Sequence, residues 1–142
     1  MMNQSILVPV DGSEHSKRAL DFAISTAKAF GDSMILLNVQ PDLHTRNTTR
    51  FFSNEQIQEY TNMLAQEAMK EAVEILEKSG IPFTSKIRTG APAMEIIEEA
   101  KANSTRSIVM GSRGIGPVVG KILGSVSFGV LHASPCPVII VP

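Results

Sequence analysis

Five glycines lie within one segment, Gly111–Ser125, and a segment of this composition suits a phosphate group. Glycine has no Cβ, so backbone N–H groups can turn toward a ligand and phosphate oxygens can approach the chain closely. Ser125 and Ser127 add hydroxyl donors, and Arg113 or Lys121 adds positive charge. The segment ends where a helix is predicted to begin, and the free N–H groups of a helix start favour anions. These residues predict an anion site.

The charge distribution supports the same segment. Residues 100–142 contain no Asp or Glu, and their four basic residues give this part of the chain a charge of +4. Because the total is −1, the first 99 residues carry −5. An anion is therefore least repelled in the last third of the chain, although chance clustering in a short apolar segment would give the same numbers.

The glycine spacing matches neither of two common phosphate-binding motifs. No Gly-Lys-Ser/Thr closes the segment, as a P-loop requires, and the spacing of Gly114, Gly116 and Gly120 differs from the dinucleotide fingerprint. The residues alone leave an alternative open, in which the segment is a flexible connection and Ser125 is an ordinary helix N-cap.

The elements that must position this segment follow from the apolar pattern. Short β-branched and apolar runs predict five strands at Ile6–Val10, Met34–Val39, Phe83–Arg88, Ser107–Met110 and Pro137–Val141. Helical spacing predicts helices over Ser13–Phe30, from Ser53 to Gly80, after Pro92, and over Ser125–Ala133. Helices alternating with apolar strands predict an α/β fold, doubly wound and Rossmann-like, with helices on both faces of a five-stranded parallel sheet.

Two details of the pattern predict local structure. Gln40–Phe52 is polar and unpatterned, which predicts an exposed loop before the long helix, and Ser53 with Gln56 forms a capping box at the start of that helix. The buried stripe of the long helix is predicted to contain Ile57, Tyr60, Leu64, Ala68, Ala72, Ile75 and Leu76.

A second connection also carries chemistry. Pro9-Val10-Asp11-Gly12-Ser13 directly follows the first strand, and ligands of open parallel sheets bind outside the carboxyl ends of the strands. The loop after the first strand and the loop after the fourth strand are therefore predicted to border one site. Asp11 is the acidic residue that the sequence places there.

Length and composition limit the class of protein. The 142 residues predict a single domain, 1–142. No apolar run is long enough to span a bilayer and the N-terminus lacks the pattern of a signal peptide, so no membrane association is expected. One cysteine excludes an intramolecular disulfide, which suits a cytoplasmic protein. A net charge of −1 predicts no attraction for nucleic acid.

Several other polar residues are interpreted as structural. His15, His44 and His132 have neither metal-ligand spacing nor an acidic partner close in sequence, so no metal site is predicted from the protein alone. Cys136 is interpreted as a small buried residue. Glu95, Glu98 and Glu99 are predicted to form a solvated helix face, so no catalytic residues are assigned.

Three separated segments resemble the universal stress protein family. Gly111, Gly114, Gly124 and Ser125 match the Gly-x2-Gly-x9-Gly-Ser/Thr motif of its nucleotide-binding members, and the segments Ile6–Ser13 and Ser134–Pro142 are similar to that family as well. The resemblance covers essentially the whole chain. It implies the strand order 3-2-1-4-5 and binding of ATP, or of ADP or AMP, together with Mg²⁺.

The resemblance also implies a set of site residues. Gly111, Arg113, Gly114, Gly124, Ser125 and Ser127 would surround the phosphates, Val10 and Asp11 would lie beside the adenosine, and Val39 would lie against the adenine. It leaves open whether Asp11 contacts the ribose or a metal carried by the phosphates. The complete predicted cofactor-binding set is Pro9, Val10, Asp11, Val39, Met110, Gly111, Arg113, Gly114, Gly124, Ser125, Val126 and Ser127.

The final strand predicts a partner. Val138–Val141 is apolar throughout, and an apolar strand at a sheet edge can pair with a second copy of the chain. The resemblance likewise points to a homodimer through this strand. Three functions follow as hypotheses: a nucleotide-binding stress-response regulator with at most slow ATP hydrolysis, an ATPase or phosphotransferase, and a dimeric interaction module that binds no nucleotide.

Overall fold

A computed structural model describes residues 4–114 and 123–142, and these form a sheet with helices on both of its faces. The five strands are β1 (Ser5–Pro9), β2 (Ser33–Gln40), β3 (Phe83–Thr89), β4 (Ser107–Gly111) and β5 (Val138–Val141). The five helices in the described ranges are α1 (Glu14–Phe30), α2 (Arg46–Phe51), α3 (Asn54–Ser79), α4 (Pro92–Asn103) and α5 (Ser125–Ala133). All paired strands are parallel, and their order is β3-β2-β1-β4-β5, which confirms the predicted fold.

Alternating side chains of the strands build two separate cores. Ile6 and Val8 of β1 pack on one face of the sheet with residues of α1 and α3, whereas Leu7 packs on the other face with residues of α4 and α5. This alternation follows from the pleat of a strand, in which neighbouring side chains point to opposite faces. Apolar residues on both sides of β1 therefore place it at the centre of the molecule.

Strand β1 pairs with β2 over more residues than it pairs with β4. β1 pairs with β2 as far as Pro9↔Leu37, but it pairs with β4 only at Ile6↔Ser107 and Leu7↔Ile108. The last residues of β1 and β4 have no ladder between them. A crevice therefore opens at the carboxyl ends of these strands, where the direction of chain progression across the sheet reverses.

Polar residues and glycines set the helix boundaries. The side chains of Ser13, Thr45 and Ser53 accept hydrogen bonds from the first turns of α1, α2 and α3, and the capping box of Ser53 with Gln56 is present as predicted. Gly31 and Gly80 end α1 and α3 in the left-handed conformation that glycine adopts without strain.

The structure partly corrects the prediction of an exposed loop over Gln40–Phe52, because the segment contains a helix. Residues Arg46–Phe51 form α2, a short helix capped by Thr45. None of its six residues is buried, so the helix has no apolar stripe that a sequence pattern could reveal.

The buried stripe of α3 is also partly different from the prediction. Its buried residues are Ile57, Thr61, Ala65, Met69, Ala72 and Leu76, which follow one another mostly at steps of four. Tyr60, which the pattern predicts to lie in the stripe, is 51% exposed. Thr61 lies inside because its hydroxyl donates to the carbonyl of Ile57 in the same helix, at 2.9 Å.

Glu99 is not part of a solvated face, contrary to the prediction. Its carboxylate is buried between α4 and β3, where it accepts hydrogen bonds from Lys86 Nζ and Arg88 Nε, each at 2.8 Å, and from Asn103. Glu95 joins the cluster through Arg88, at 3.0 Å. The polar face of β3 therefore attaches this edge strand to α4, which sequence periodicity alone did not reveal.

Candidate nucleotide site

The crevice between β1 and β4 contains a cavity of about 360 Å³. All residues of the predicted cofactor-binding set line it, although they come from three strands, two loops and the start of α5. Four further lining residues were missed by the sequence analysis: Ser16, Leu37, Pro92 and Ile96. Leu37 and Ile96 carry no sequence signal of a ligand site because they look like ordinary core positions, and Leu37 is in fact completely buried.

Asp11 is held by its own turn. One carboxylate oxygen, Oδ1, accepts a hydrogen bond from the backbone N–H of Ser13 at 2.9 Å, which is the local pattern of an Asx turn. The other oxygen, Oδ2, faces Gly114. A Cβ on Gly114 would lie 2.5 Å from this oxygen, so a side chain there would have to displace the Asp11 carboxylate.

The three glycines of the motif differ in how closely neighbouring atoms would approach an added Cβ. A Cβ on Gly111 would lie 2.8 Å from backbone and side-chain carbon atoms of His15, so this glycine lets α1 pack closely on β4. At Gly124, by contrast, the nearest atom to an added Cβ is 3.4 Å away. Packing within the described residues thus requires glycine at position 111, whereas a side chain at position 114 would move only the end of the Asp11 side chain and position 124 has room for a Cβ.

The start of α5 presents backbone donors at the cavity. Gly124 is the N-cap residue, and no side chain caps this helix, unlike α1, α2 and α3. The first helical hydrogen bond runs from the N–H of Phe128 to the carbonyl of Gly124, so the N–H groups of residues 125–127 have no acceptor within the helix. The positive end of the helix dipole lies at the same place.

Two contacts attach the end of β4 to α5. Ser127 is buried and its hydroxyl donates to the carbonyl of Gly111 at 2.8 Å, so its proton is used inside the protein rather than pointing to the cavity as a donor. The N–H of Gly124 donates to the carbonyl of Ser112 at 2.8 Å. These contacts hold the helix start at a defined height above the sheet.

The lining of the cavity is chemically mixed. Leu37, Val39, Ile96 and Met110 provide apolar side chains, and all four belong to or pack against the core on the α4 and α5 side of the sheet. Glycines, Ser125 and the uncapped start of α5 provide small residues and backbone donors. Among the described lining residues, Arg113 is the cation and Asp11 is the anion. The cavity thus combines apolar side chains with backbone donors.

Within residues 4–114 and 123–142, no group of three or more His, Cys, Asp or Glu side chains could hold a metal ion. His44 does have an acidic partner, contrary to the prediction, because Asp42 accepts from its ring nitrogen at 2.9 Å. That pair is solvent-exposed on the connection between β2 and α2. Lys121 falls outside the described residues.

The described helices give no indication of a membrane span, since none is both long and apolar enough to cross a bilayer.

Comparison with known proteins places the fold and sequence in one group. The chain matches the model of the universal stress protein family over residues 2–142. It is 33% identical to universal stress protein YxiE of Bacillus subtilis, with 99% of each chain covered. It is 32% identical to a universal stress protein of Thermus aquaticus, again with 99% of each chain covered.

Solved structures agree with this result. Universal stress protein UspA of Lactobacillus plantarum superposes with a TM-score of 0.83 at 26% identity, covering 100% of this chain and 99% of that one. A universal stress protein in complex with cAMP superposes with a TM-score of 0.69 at 25% identity, covering 99% and 98% of the two chains. Sequence and fold agree over the full length of the matched region, and the chain therefore belongs to the universal stress protein family.

Proposed function

We propose that this protein is a cytoplasmic regulator that binds an adenine nucleotide, ATP in the first place, in the cavity between β1 and β4. The observation that carries the proposal is the pairing, in one cavity, of apolar side chains with the uncapped start of α5. Apolar side chains suit a flat base, and free N–H groups at a helix start suit phosphate. The base would lie against Val39, and the phosphates would lie at Gly114, Gly124 and Ser125.

The relative that was solved with cAMP supports the class of ligand. Its fold covers nearly the whole of this chain, and cAMP contains both an adenine and a phosphate. The ligand proposed for this chain is larger by two phosphates. We expect the two further phosphates to extend toward Gly124 and Ser125, because the start of α5 supplies free N–H groups there.

Mg²⁺ would reach the site on the phosphates of ATP. Asp11 is the carboxylate among the described lining residues, and its Oδ2 is not used by the Asx turn. Phosphoryl transfer requires a positioned metal and an oriented nucleophile, and a single carboxylate supplies few groups for these roles. We therefore propose a regulatory role in which the occupied and empty forms differ in their partner contacts, with hydrolysis at most slow.

Thermal unfolding with and without Mg·ATP tests the nucleotide proposal. At a ligand concentration of about 100 times Kd, binding adds about 2.7 kcal/mol to the unfolding free energy. For a chain of this length, Tm should rise by roughly 5–10 °C. If Tm does not move and no nucleotide co-purifies with the protein, the interaction module without nucleotide is the better function. Turnover of many ATP per second that is lost in Asp11→Ala would instead establish an enzyme.

A charge-matched pair of variants locates the binding site. Arg113→Gln should weaken ATP binding by about tenfold or more, since a hydrogen bond to a charged group contributes roughly 1.5–3 kcal/mol. Arg50→Gln makes the same change of charge on α2, outside the lining of the cavity, and should leave the affinity within about twofold, since an exposed charge at a distance is largely screened. Equal losses in the two variants would mean that general charge, rather than the cavity, attracts the ligand.

We further propose a homodimer through β5, which lies at the edge of the sheet beside β4. The carbonyls of Pro137 and Val141 accept hydrogen bonds from β4, and polar groups alternate in direction along a strand, so the N–H of Ile140 points outward. Ile140→Pro should therefore abolish the dimer in sedimentation experiments by removing that donor. Ile140→Ala loses side-chain packing but keeps the N–H, and should still dimerise. A monomeric wild-type protein would contradict this part of the proposal.

A further inference from the structure

Asn38 is a polar residue inside the apolar part of β2, and its side chain is buried. It is 2% exposed, and alternation along β2 places it on the face of the sheet that packs against α1 and α3, opposite the face of Leu37 and Val39. A buried amide without partners would cost about 1–3 kcal/mol, so its presence in a core requires specific hydrogen bonds. The partners of Asn38 therefore show what it does.

The amide of Asn38 bonds to the chain at the end of β1. Its Nδ2 donates to the carbonyl oxygen of Val10 at 2.8 Å, 28 residues away in sequence, and its Oδ1 accepts from Gln40 Nε2 at 2.8 Å. The carbonyl of Val10 determines which end of the Asn38 amide faces it, because only the NH₂ group can donate to a carbonyl, and the amide of Gln40 can then donate to Oδ1. β2 thus reaches one residue beyond the β1 ladder and holds the turn that follows it.

That bond determines the direction of the next peptide unit. The N–H of Val10 donates to the carbonyl of Leu37, and the carbonyl of Val10 accepts from Asn38, so both groups point toward β2. In a trans peptide the C=O and the following N–H point in opposite directions. No cis peptide occurs in the described residues. The N–H of Asp11 therefore points away from β2, to the side of β4, where the cavity lies.

The amide of Asp11 is thus directed to the cavity side together with its carboxylate. Among the hydrogen bonds of the described chain, none uses the N–H of Asp11, while Oδ1 of the same residue is held by Ser13 and Oδ2 faces Gly114. Val10 and Asp11 both line the cavity. One peptide unit therefore presents a backbone donor and a carboxylate at the site, and its orientation depends on a side chain that lies on the far face of the sheet.

We propose that Asn38 is a positioning residue for the nucleotide site. Through its hydrogen bond to the carbonyl of Val10, it holds the Val10–Asp11 peptide in the orientation that the ligand requires, although it does not line the cavity itself. This inference rests on the proposed nucleotide function. Without Asn38 the peptide can rotate, and binding then has to restore its orientation, which lowers the affinity.

The test compares Asn38→Leu with Thr61→Val, a substitution of an equally buried polar residue of α3. Both variants lose a hydrogen bond in the same core, but Thr61 bonds only within its own helix. By calorimetric titration with Mg·ATP, Asn38→Leu should bind about tenfold more weakly than wild type, which corresponds to the loss of one hydrogen bond of ordinary strength. Thr61→Val should stay within about twofold. If both variants lose affinity equally, Asn38 acts only through stability and the proposal is wrong.

A measurement without nucleotide separates this inference from the function on which it rests. In the free protein, the ¹H–¹⁵N signal of Asp11 should shift or broaden in Asn38→Leu and remain at its wild-type position in Thr61→Val. If wild-type protein gives no Tm shift with Mg·ATP, the proposed function fails, and the Asp11 signal alone decides whether Asn38 holds the peptide. If Asn38→Leu does not fold, Asn38→Ala also lacks the N–H donor and introduces neither extra volume nor charge. Wild-type affinity in either folded variant would overturn the proposal.

Discussion

Asp11 and Asp32 stand at opposite ends of the central strands and are used in opposite ways. Asp32 has a side chain with no exposed surface, and both of its oxygens bond to Arg106, through Nε at 2.6 Å and through the second guanidinium nitrogen at 3.2 Å. The backbone N–H of Gln4 also donates to it, at 3.3 Å. Asp11 instead uses one oxygen in its own turn and directs the other toward Gly114.

The groups around Asp32 are paired with one another, whereas the groups around Asp11 keep unused hydrogen-bonding capacity. Arg106 also packs over the ring of Phe30 at 4.4 Å, so protein groups hold the guanidinium in place although its side chain is partly exposed. Its partner Asp32 raises the pKa of the Arg106 guanidinium, chiefly through a hydrogen bond. At the cavity, polar groups are held in place but retain capacity for further bonds. Groups at the amino ends of the central strands, here called the lower end of the sheet, therefore stabilise the fold through paired charges. Groups at the carboxyl ends, the upper end, keep unused hydrogen-bonding capacity at the cavity.

The largest effect on stability is expected for Asp32→Ala, which removes the hydrogen bonds from Arg106 and from the N–H of Gln4. Because Arg106 is partly exposed, water can hydrate it in the variant, and hydrogen bonds to a charged group contribute roughly 1.5–3 kcal/mol, so we expect a loss of about 3 kcal/mol. Urea unfolding should show this loss, while the affinity for Mg·ATP, measured where the variant is fully folded, should not change. An equal effect on affinity would break the comparison, since it would connect the lower end of the sheet to the site.

A smaller, pH-dependent effect is expected for Glu99, which resembles Asp32 in being buried and paired. Burial by itself would raise the pKa of Glu99, but hydrogen bonds from Lys86, Arg88 and Asn103 outweigh it and hold this pKa below its ordinary value. A carboxyl with a lowered pKa stabilises the fold fully above the unfolded pKa, about 4.3, and this contribution is lost as the pH falls through the lower folded value.

Glu99→Gln should therefore cost about 2 kcal/mol at pH 7, in keeping with the loss of hydrogen bonds to a charged group. Unfolding experiments between pH 7 and pH 2 provide the measurement. The difference between wild type and variant should shrink in acid, because wild-type Glu99 also becomes neutral there. A constant difference over this range would mean that the charge of Glu99 contributes nothing and that its packing alone is important.

The smallest effect on stability is expected for Asp11→Asn, which sharpens the comparison most directly. The variant keeps an oxygen for the N–H of Ser13, so the Asx turn remains and the unfolding free energy should change by less than about 0.5 kcal/mol. The Mg²⁺ dependence of ATP affinity should change, because an amide attracts a cation less strongly than a carboxylate does. Titration with ATP at several Mg²⁺ concentrations checks this prediction. An unchanged dependence would mean that Asp11 does not contact the metal.

The sequence predicted the fold well because apolar strands and amphipathic helices carry strong local signals. Capping by Ser53 and chain reversal at Gly31 are determined within a few residues, and the structure confirms both. The twelve predicted site residues lie around one cavity because the carboxyl ends of parallel strands meet at one edge of the sheet. That they bind nucleotide remains a prediction.

The failures of the sequence analysis have two physical causes. α2 is capped locally by Thr45 and buries no residue, so it has no apolar stripe that a pattern could reveal. Glu99 is buried although glutamate is normally exposed, because two cations of β3 pair with it across the packing of α4 on the sheet. Leu37 and Ile96 line the cavity only because β1 and β4 stop pairing before their ends. The last two properties depend on how the strands and helices pack.

Local sequence alone determined the strands, most helices, the glycine motif and the membership of the chain in its family. Tertiary structure decided which glycines are required by packing, which carboxylates are paired and which side chain holds the Val10–Asp11 peptide. The reason is that turn and helix preferences act over a few residues, whereas the bond from Asn38 to Val10 joins residues that approach one another only when the sheet has formed.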